Sequence, residues 1–488
     1  MSESAPWQWV LSVACIFLAG CAILAVWVGR GQTKDVEGHV VAGRSLGALD
    51  LSFLIFGTMF SHFLFLGGPG VAYTRGAAVY YVLSYGVIGV APLFFLGPRI
   101  GEIARRGRFV TQAQFVSGRF PGRALRTVMA LVAAGVSIPY LALQMQGAGI
   151  VLETLTGGHV SVAMGAGVTY AVVVAYVAYG GAAAIARTSV LQGGLMLLGA
   201  WGLGLYLPHA LQGGVAQMFA NLAQTNPDLL LVPGLAPDGG PWSWGLYSAE
   251  VVYSAIAFAM WPHLFMRIFT AKTGRALRRA VLVFPLFQLT LVAAILVGLS
   301  AVGSGYPAER SDTVLLHLAL GSGLTGLAVG LVCAAVMASS MSTGDSLVHS
   351  GATAIVEDLL APSLPLSEAT RRTLMQLATL LLAGLAFQWA VVLDLPVVWF
   401  VILAYSVVIQ LAPPVYAALL WRRATPAGAL WGLVAGLATC ILLLQQPQFR
   451  PFGFDAGLSG LLVNVAVLVA TSLLTEPQEE HHLSGFGL

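Results

Sequence analysis

Ser339-Ser340-Met341-Ser342-Thr343-Gly344-Asp345-Ser346 lies inside an apolar run that begins near Leu324 and ends at Glu357-Asp358. Ser339, Ser342, Thr343, Ser346 and Ser350 recur at intervals of three and four, which places their hydroxyls on one helical face. A hydroxyl stripe in a lipid-buried helix has two uses. Its small side chains let neighbouring helices pack closely. Its oxygens can also ligate a hard cation, which takes hydroxyl, carbonyl or carboxylate groups. Packing is the commoner use, and the stripe alone leaves both open.

Composition puts this helix in a membrane. The 488 residues are 58% hydrophobic and 9% charged, whereas soluble chains carry about 25% charged residues. Cys15, Cys21, Cys333 and Cys440 all sit in apolar runs without CxxC or His spacing, so neither a disulfide framework nor a metal site is implied. The N-terminus lacks a basic region, and Trp7 to Val28 is long enough to span, so it reads as a retained helix and not a cleaved signal.

About thirteen spans are expected, at roughly 8–29, 47–72, 77–98, 127–153, 159–179, 188–207, 246–267, 280–302, 324–357, 373–393, 397–420, 427–445 and 456–474. With the N-terminus outside and the C-terminus in the cytoplasm, every Lys and Arg except Arg75, Arg310 and Arg450 falls on the cytoplasmic side. The long loop 208–245 then lies outside, and it contains no Lys or Arg. The cluster from Arg99 to Arg126 becomes a cytoplasmic loop facing anionic lipid. The partner this charge implies is the bilayer of the plasma (or inner) membrane, not nucleic acid.

Two spans are interrupted. In 47–72, Gly57, Ser61 and Gly67-Gly68-Pro69-Gly70 break a good apolar helix. Such breaks free carbonyls that protein, water or an ion must satisfy. This reads either as a kinked packing helix or as a binding-site break. In 246–267, Pro262 breaks the helix and a lone His263 follows. The two lie five spans apart and so run in opposite directions, the arithmetic of an inverted repeat: 47–207 against 246–420. The helix 8–29 and the pair within 427–474 are additions to a single transmembrane domain. Between the breaks, the candidate lining is apolar apart from Tyr140, Gln144 and Gln410, with Phe258 among the apolar members.

These features together resemble the sodium/solute symporter family. The matching motifs run in order: AGRSLG (42–47), the FS…FLGGPG…Y…G pattern (60–76), YGG…TSVLQG (179–193), WPHLFMRIFTAK (261–272), AAVM…MSTGDS…ED (334–358) and PPVYAALLWRRATPAGALWGLVAG (413–436). RFVTQAQFVSGRFPGRALRT (108–127) with IPYLALQ (138–144) is most similar to the monocarboxylate permease branch. IPYLALQ also resembles transporter-like domains fused to sensor kinases. The resemblance implies an all-α polytopic fold with a LeuT-like five-plus-five inverted repeat and three additional helices. It implies a sodium ion held by the carbonyls of Gly57, Phe60 and Ser339 and the hydroxyls of Ser342 and Thr343. Ser61 matches a hydroxyl position of the proline-carrying branch. Thr188-Ser189 stands where members with a second sodium have Thr-Asp, and Leu64 and Leu83 stand where sugar carriers have Gln and Glu. One sodium and no sugar are therefore expected. Asp345, with His349 one turn on, is read either as a gating or ion-release group or as a contact stabilising the helix end.

The leading expectation is sodium-coupled import of a small monocarboxylate or apolar amino acid, with Ser61, Tyr140, Gln144, Phe258 and Gln410 as solute contacts. Proton coupling of the same solute class, or a solute sensor working through a partner, is the alternative. An enzyme is not expected, because HExxH, GxSxG with partner groups and P-loop patterns are all missing. The oligomeric state is not legible.

Overall fold

The computed structural model describes residues 7–31, 35–392 and 404–488. Among them, every regular element is helical apart from two isolated bridges. Helix α1, Trp7–Gly29, is apolar all round and exposes Ile16 and Trp27. That composition suits lipid on one side and protein on the other.

The first break is two half-helices, α2 (Ala48–Met59) and α3 (Gly67–Arg75). Phe60 leaves helical geometry at φ −90°, ψ 84° and Ser61 is extended. The Ser61 hydroxyl then accepts from the Phe63 N–H at 3.2 Å, capping a short turn over His62–Leu64. The next helix starts as α4 (Tyr80–Gly89) and continues through Ala91–Phe95. Helix α5 (Arg123–Leu155) carries Pro139 in its interior.

Spans 159–179 and 188–207, expected as separate helices, follow end to end in α6 (Val162–Gln212), two helical stretches that meet at a kink at Gly181. Its 51 residues would measure about 76 Å if straight, against a hydrocarbon core of about 30 Å. Gly181, at φ 54° and ψ −148°, supplies the bend that separates the two halves without a loop.

The second break joins α7 (Trp244–Phe258) to α8 (Pro262–Thr270) at an angle of 46°. Pro262 occupies the first turn of α8, where its missing N–H costs nothing. Then follow α9 (Gly274–Gln288), α10 (Thr290–Ser300), α11 (Gly326–Thr353), α12 (Glu368–Val392), α13 (Ala412–Leu420), α14 (Pro426–Gln445) and α15 (Ala456–Leu474). Nine helices among the described residues are long and apolar enough to cross a membrane, ten with the bent α7–α8 pair. The difference from thirteen has three sources. Two expected spans share α6, span 47–72 is broken at Phe60, and 397–420 falls partly outside the described residues.

Helix α11 is the axis. Every residue from Cys333 to Val348 is buried, and it packs against α1, α2, α5, α6 and α12. Its last turn widens into a π-type turn over Ala354–Leu360. There Asp358 pairs with Arg126 at 2.9 Å and accepts from Thr111 at 3.0 Å, while Glu357 pairs with Arg371 at 3.3 Å. Part of the Arg99–Arg126 cluster is thus spent inside the protein, not on lipid. Arg119 is fully buried beneath α13, and its guanidinium donates to the Arg422 carbonyl at 3.2 Å.

Candidate functional site

Where α2 ends, its backbone lies directly against α11. The Gly57 carbonyl has no helical partner four residues on, because Ser61 has already turned away. It accepts instead from the Thr343 hydroxyl at 3.2 Å. One turn back, the Ser342 hydroxyl donates to the Ser339 carbonyl at 3.2 Å. The absent side chain of Gly57 makes this approach possible: a Cβ there would stand 3.1 Å from the Ser342 Cβ and 3.6 Å from the Ser189 Cβ. Gly57, Ser339, Ser342 and Thr343 thus lie together, with Phe60 at the break three residues on from Gly57. Two oxygens bound at right angles to one hard cation stand about 3.3–3.7 Å apart. The two observed spacings, both 3.2 Å, are close to that, so these four oxygens are compatible with a sodium-sized ion. Ser189 adds a hydroxyl beside Gly57, but it donates to its own helix at Ile185 (2.7 Å).

Asp345 is linked to this set through Ser346, whose hydroxyl also reaches the Ser342 carbonyl at 3.1 Å. Its carboxylate accepts from Tyr176 at 2.7 Å and from Ser346 at 3.0 Å, and Ser346 lies 3.1 Å from the Thr58 hydroxyl. His349 does not bond Asp345. Its Nε2 meets the Val40 carbonyl at 3.2 Å, and its ring packs on His39 with centroids 5.5 Å apart. Burial, with Arg372 nearby, pushes the His39 imidazole down to about 4, so it is neutral at physiological pH. Sequence reasoning missed Arg267 here, having counted it only among the charges on the cytoplasmic side. It is buried on α8, within electrostatic range of Asp345, and its Nε and Nη2 have no hydrogen-bond partner.

A small cavity of about 60 Å³ lies between the two breaks. Ser61, Tyr140 and Phe258, expected as solute contacts, are among the residues that line it. Leu64 does too, while Leu83 does not. Gln410 stands elsewhere. Its amide donates to the Ser406 and Gly457 carbonyls (3.2 and 2.9 Å), and Asn464 of α15 donates to its backbone carbonyl at 2.9 Å. That expectation is corrected: the amide is used to seat α15. Residues the sequence did not single out complete the wall, chiefly Tyr85, Tyr405 and Gln288. Trp261 packs behind them, 5.1 Å from both Tyr140 and Tyr405.

Gln144 is also outside the lining. Its Oε1 faces His62 Nδ1 at 2.9 Å, just past the break, and its carbonyl accepts from the Ser340 hydroxyl of α11. Tyr170 on α6 donates to the Ser340 carbonyl at 2.9 Å. Gln144 therefore bears on the position of the break and not on the cavity wall. Gln144→Leu leaves His62 Nδ1 buried without its partner, a penalty of roughly 1–3 kcal/mol. Solute binding is expected to weaken several-fold, with solute-free sodium binding unchanged within about twofold. Thermal shifts in sodium, with and without solute, check this; a parallel loss of the sodium response would place Gln144 in the ion site instead.

Paired broken helices around a cavity, with an axial helix presenting oxygens to one break, are the arrangement of a membrane transporter. The description "Sodium:solute symporter family" matches residues 39–436, and the chain belongs to that family. It is a transporter and not an enzyme. The uncharacterized symporter YhjB of Bacillus subtilis is 26% identical over 95% of this chain and 98% of its own length. A monocarboxylate transport permease protein of Rhizobium johnstonii is 25% identical over 67% of this chain and 68% of its own. Among solved structures, a substrate-bound, outward-open Na+-coupled sialic acid symporter superposes with a TM-score of 0.80, covering 96% of this chain and 99% of that one at 16% identity. At that identity the likeness concerns the fold.

Proposed function

We propose that this symporter imports a small organic solute bearing a carboxylate, a monocarboxylate or an apolar amino acid, coupled to sodium. The observation that carries the reading is the junction of Gly57 with Ser342 and Thr343. One ion there ties the broken helix to the axial helix. An ion that binds only when the two are joined stabilises one arrangement over the other, and this difference is what couples it to the solute. The reading includes thirteen spans, N-terminus outside and C-terminus in the cytoplasm, with 47–207 and 246–420 as inverted five-helix repeats that rock about the fixed site. Asp345, with Arg267 and His349 on the cytoplasmic side of the ion site, serves ion release. Names of relatives and neighbours support sodium and a carboxylate solute.

Uptake into proteoliposomes driven by an imposed sodium gradient tests the function. Solute accumulation that persists unchanged when potassium replaces sodium overturns it. Because Ser189 offers a hydroxyl, already bonded to Ile185, and no acid, one sodium per solute is expected. Parallel uptake of labelled sodium and labelled solute measures the ratio; a value near two contradicts the single site.

A further inference from the structure

The exposed face of α9 changes character within one turn. Arg275, Arg278 and Arg279 occupy it near the start of the helix, and Leu282, Leu286 and Leu289 continue it at spacings of three and four. All six side chains are exposed, Leu282 and Leu286 at 62% and 66%. Cations followed by bare hydrocarbon are what a helix presents where it passes from headgroups into acyl chains.

Elsewhere on the side where α9 starts, positive charge is mostly spent on protein. Arg44 bonds Glu37 and the Phe109 carbonyl, Arg99 the Phe486 carbonyl, Arg123 the Pro362 carbonyl and Arg126 the Asp358 carboxylate. The basic stretch at the start of α9 differs. Among the described residues, the side chains of Lys272, Arg275, Arg278 and Arg279 have no hydrogen bond and no ion pair. The Arg278 guanidinium has a ring instead, and lies over Phe94 at 5.8 Å from its centroid. Phe94 belongs to the span that begins as α4, so this contact holds the charge at the seam between two spans.

The seam is closed along its length. Gln288 of α9 donates to the Val82 carbonyl at 2.9 Å, and a Cβ on Gly97 would stand 2.8 Å from Leu277 Cδ2. Its outer edges are apolar and uncovered. Val87, two turns from Phe94 on the same helical face, is exposed, and so are Leu282 and Leu289 of α9. From Arg278 to Leu289 the helix rises about 16 Å, close to one leaflet of a hydrocarbon core of about 30 Å. Arginine forks take phosphate oxygens in pairs, and basic clusters between spans recruit anionic headgroups. A zwitterionic headgroup brings its own ammonium, which the cluster repels. A soluble phosphate would use the arginines and ignore the apolar edges, whereas a lipid uses both.

We propose that this seam is a binding site for one anionic phospholipid. Its phosphate meets Arg275, Arg278 and Arg279, and an acyl chain lies along Val87, Leu282 and Leu289. Only Ala271 to Thr273 separate α9 from α8, so the lipid anchors the helix that directly follows the second break. The proposal uses neither the ion nor the solute.

The test is native mass spectrometry of the purified full-length protein, released from detergent with equal amounts of phosphatidylglycerol and phosphatidylcholine of matched chains. The parent is expected to retain phosphatidylglycerol about tenfold better or more. Arg278→Gln combined with Arg279→Gln is expected to bring that preference below about threefold, with the melting temperature in lipid-free detergent within about 2 °C of the parent. Arg105→Gln with Arg106→Gln removes equal charge from side chains already bonded to the Ala271 carbonyl and Glu102, and is expected to keep the preference. Thermal melts separate a lipid from a free anion: phosphatidylglycerol stabilises the parent, and glycerol 3-phosphate at the same concentration does not. Equal retention of the two lipids by the parent, or a preference that survives in the Arg278/Arg279 variant, overturns the site. Equal loss in both double variants means diffuse charge and overturns it too, as does stabilisation by glycerol 3-phosphate matching that of the lipid.

Discussion

Thr343→Ala raises the sodium concentration for half-maximal uptake by roughly tenfold or more. A hydroxyl that ligates an ion contributes about 1.5–3 kcal/mol, as hydrogen bonds to charged groups do, and about 1.4 kcal/mol is a factor of ten. Folded yield changes little by comparison. Without the ion, the mutation removes one bond to the Gly57 carbonyl, at 3.2 Å, a net loss of about 1 kcal/mol. Ser342→Ala has the same direction, and Thr343→Ser, which keeps the oxygen, restores most of the response. Sodium titrations of uptake in proteoliposomes measure all three. If both alanine variants keep the parent's sodium curve, the hydroxyl stripe of α11 serves packing only. A curve unmoved by sodium but shifted by external pH would transfer the coupling to Asp345, which is buried and bonded to Tyr176 and Ser346.

Gly181→Ala has the other large effect, and on folding. At φ 54° and ψ −148° the backbone occupies a region essentially confined to glycine, and a side chain there costs about 1–3 kcal/mol. The added Cβ would also lie 2.3 Å from the His39 carbonyl oxygen and 2.7 Å from its Nδ1. A backbone oxygen cannot swing aside. His39 belongs to the short helix Val36–Val41, whose Val40 carbonyl meets His349 of α11, so a displaced His39 disturbs the axial helix too. The expected result is a melting temperature lower by about 5 °C or more, or loss of folded protein. Gly194→Ala is the control. It lies in the same helix, a Cβ there meets nothing within 4 Å, and alanine favours helix. Thermal melts of the two variants side by side decide the matter; a Gly181→Ala melt within about 2 °C of the parent would mean that the bend is not glycine-dependent.

Much of this molecule is legible along the chain, because the properties concerned are local. Spanning helices need only enough consecutive apolar residues. Both breaks show as Gly and Pro within such runs, at Gly57 to Gly70 and at Pro262. The oxygen face of α11 follows from 3.6-residue periodicity applied to Ser339, Ser342 and Thr343. The two spans on either side of Gly181 were legible as separate helices, but its dihedral angles were not, so a loop was expected where a kink at one glycine suffices.

What only the tertiary structure decided is which partner each polar side chain meets. Tyr140, Gln144 and Gln410 look alike in sequence, as polar groups in apolar helices. Tyr140 lines the cavity, Gln144 holds His62 behind it, and Gln410 seats α15 through Gly457 and Asn464. Arg267 reads as an interfacial charge, yet folding buries it within reach of Asp345, 78 positions further along the chain. The cavity wall assembles rings from α4, α7 and the segment before α13. No pattern in any one of those segments marks its ring as a wall. Hydropathy and periodicity report how a segment meets its own solvent, whereas a site is made by side chains from distant segments brought together, and that depends on packing.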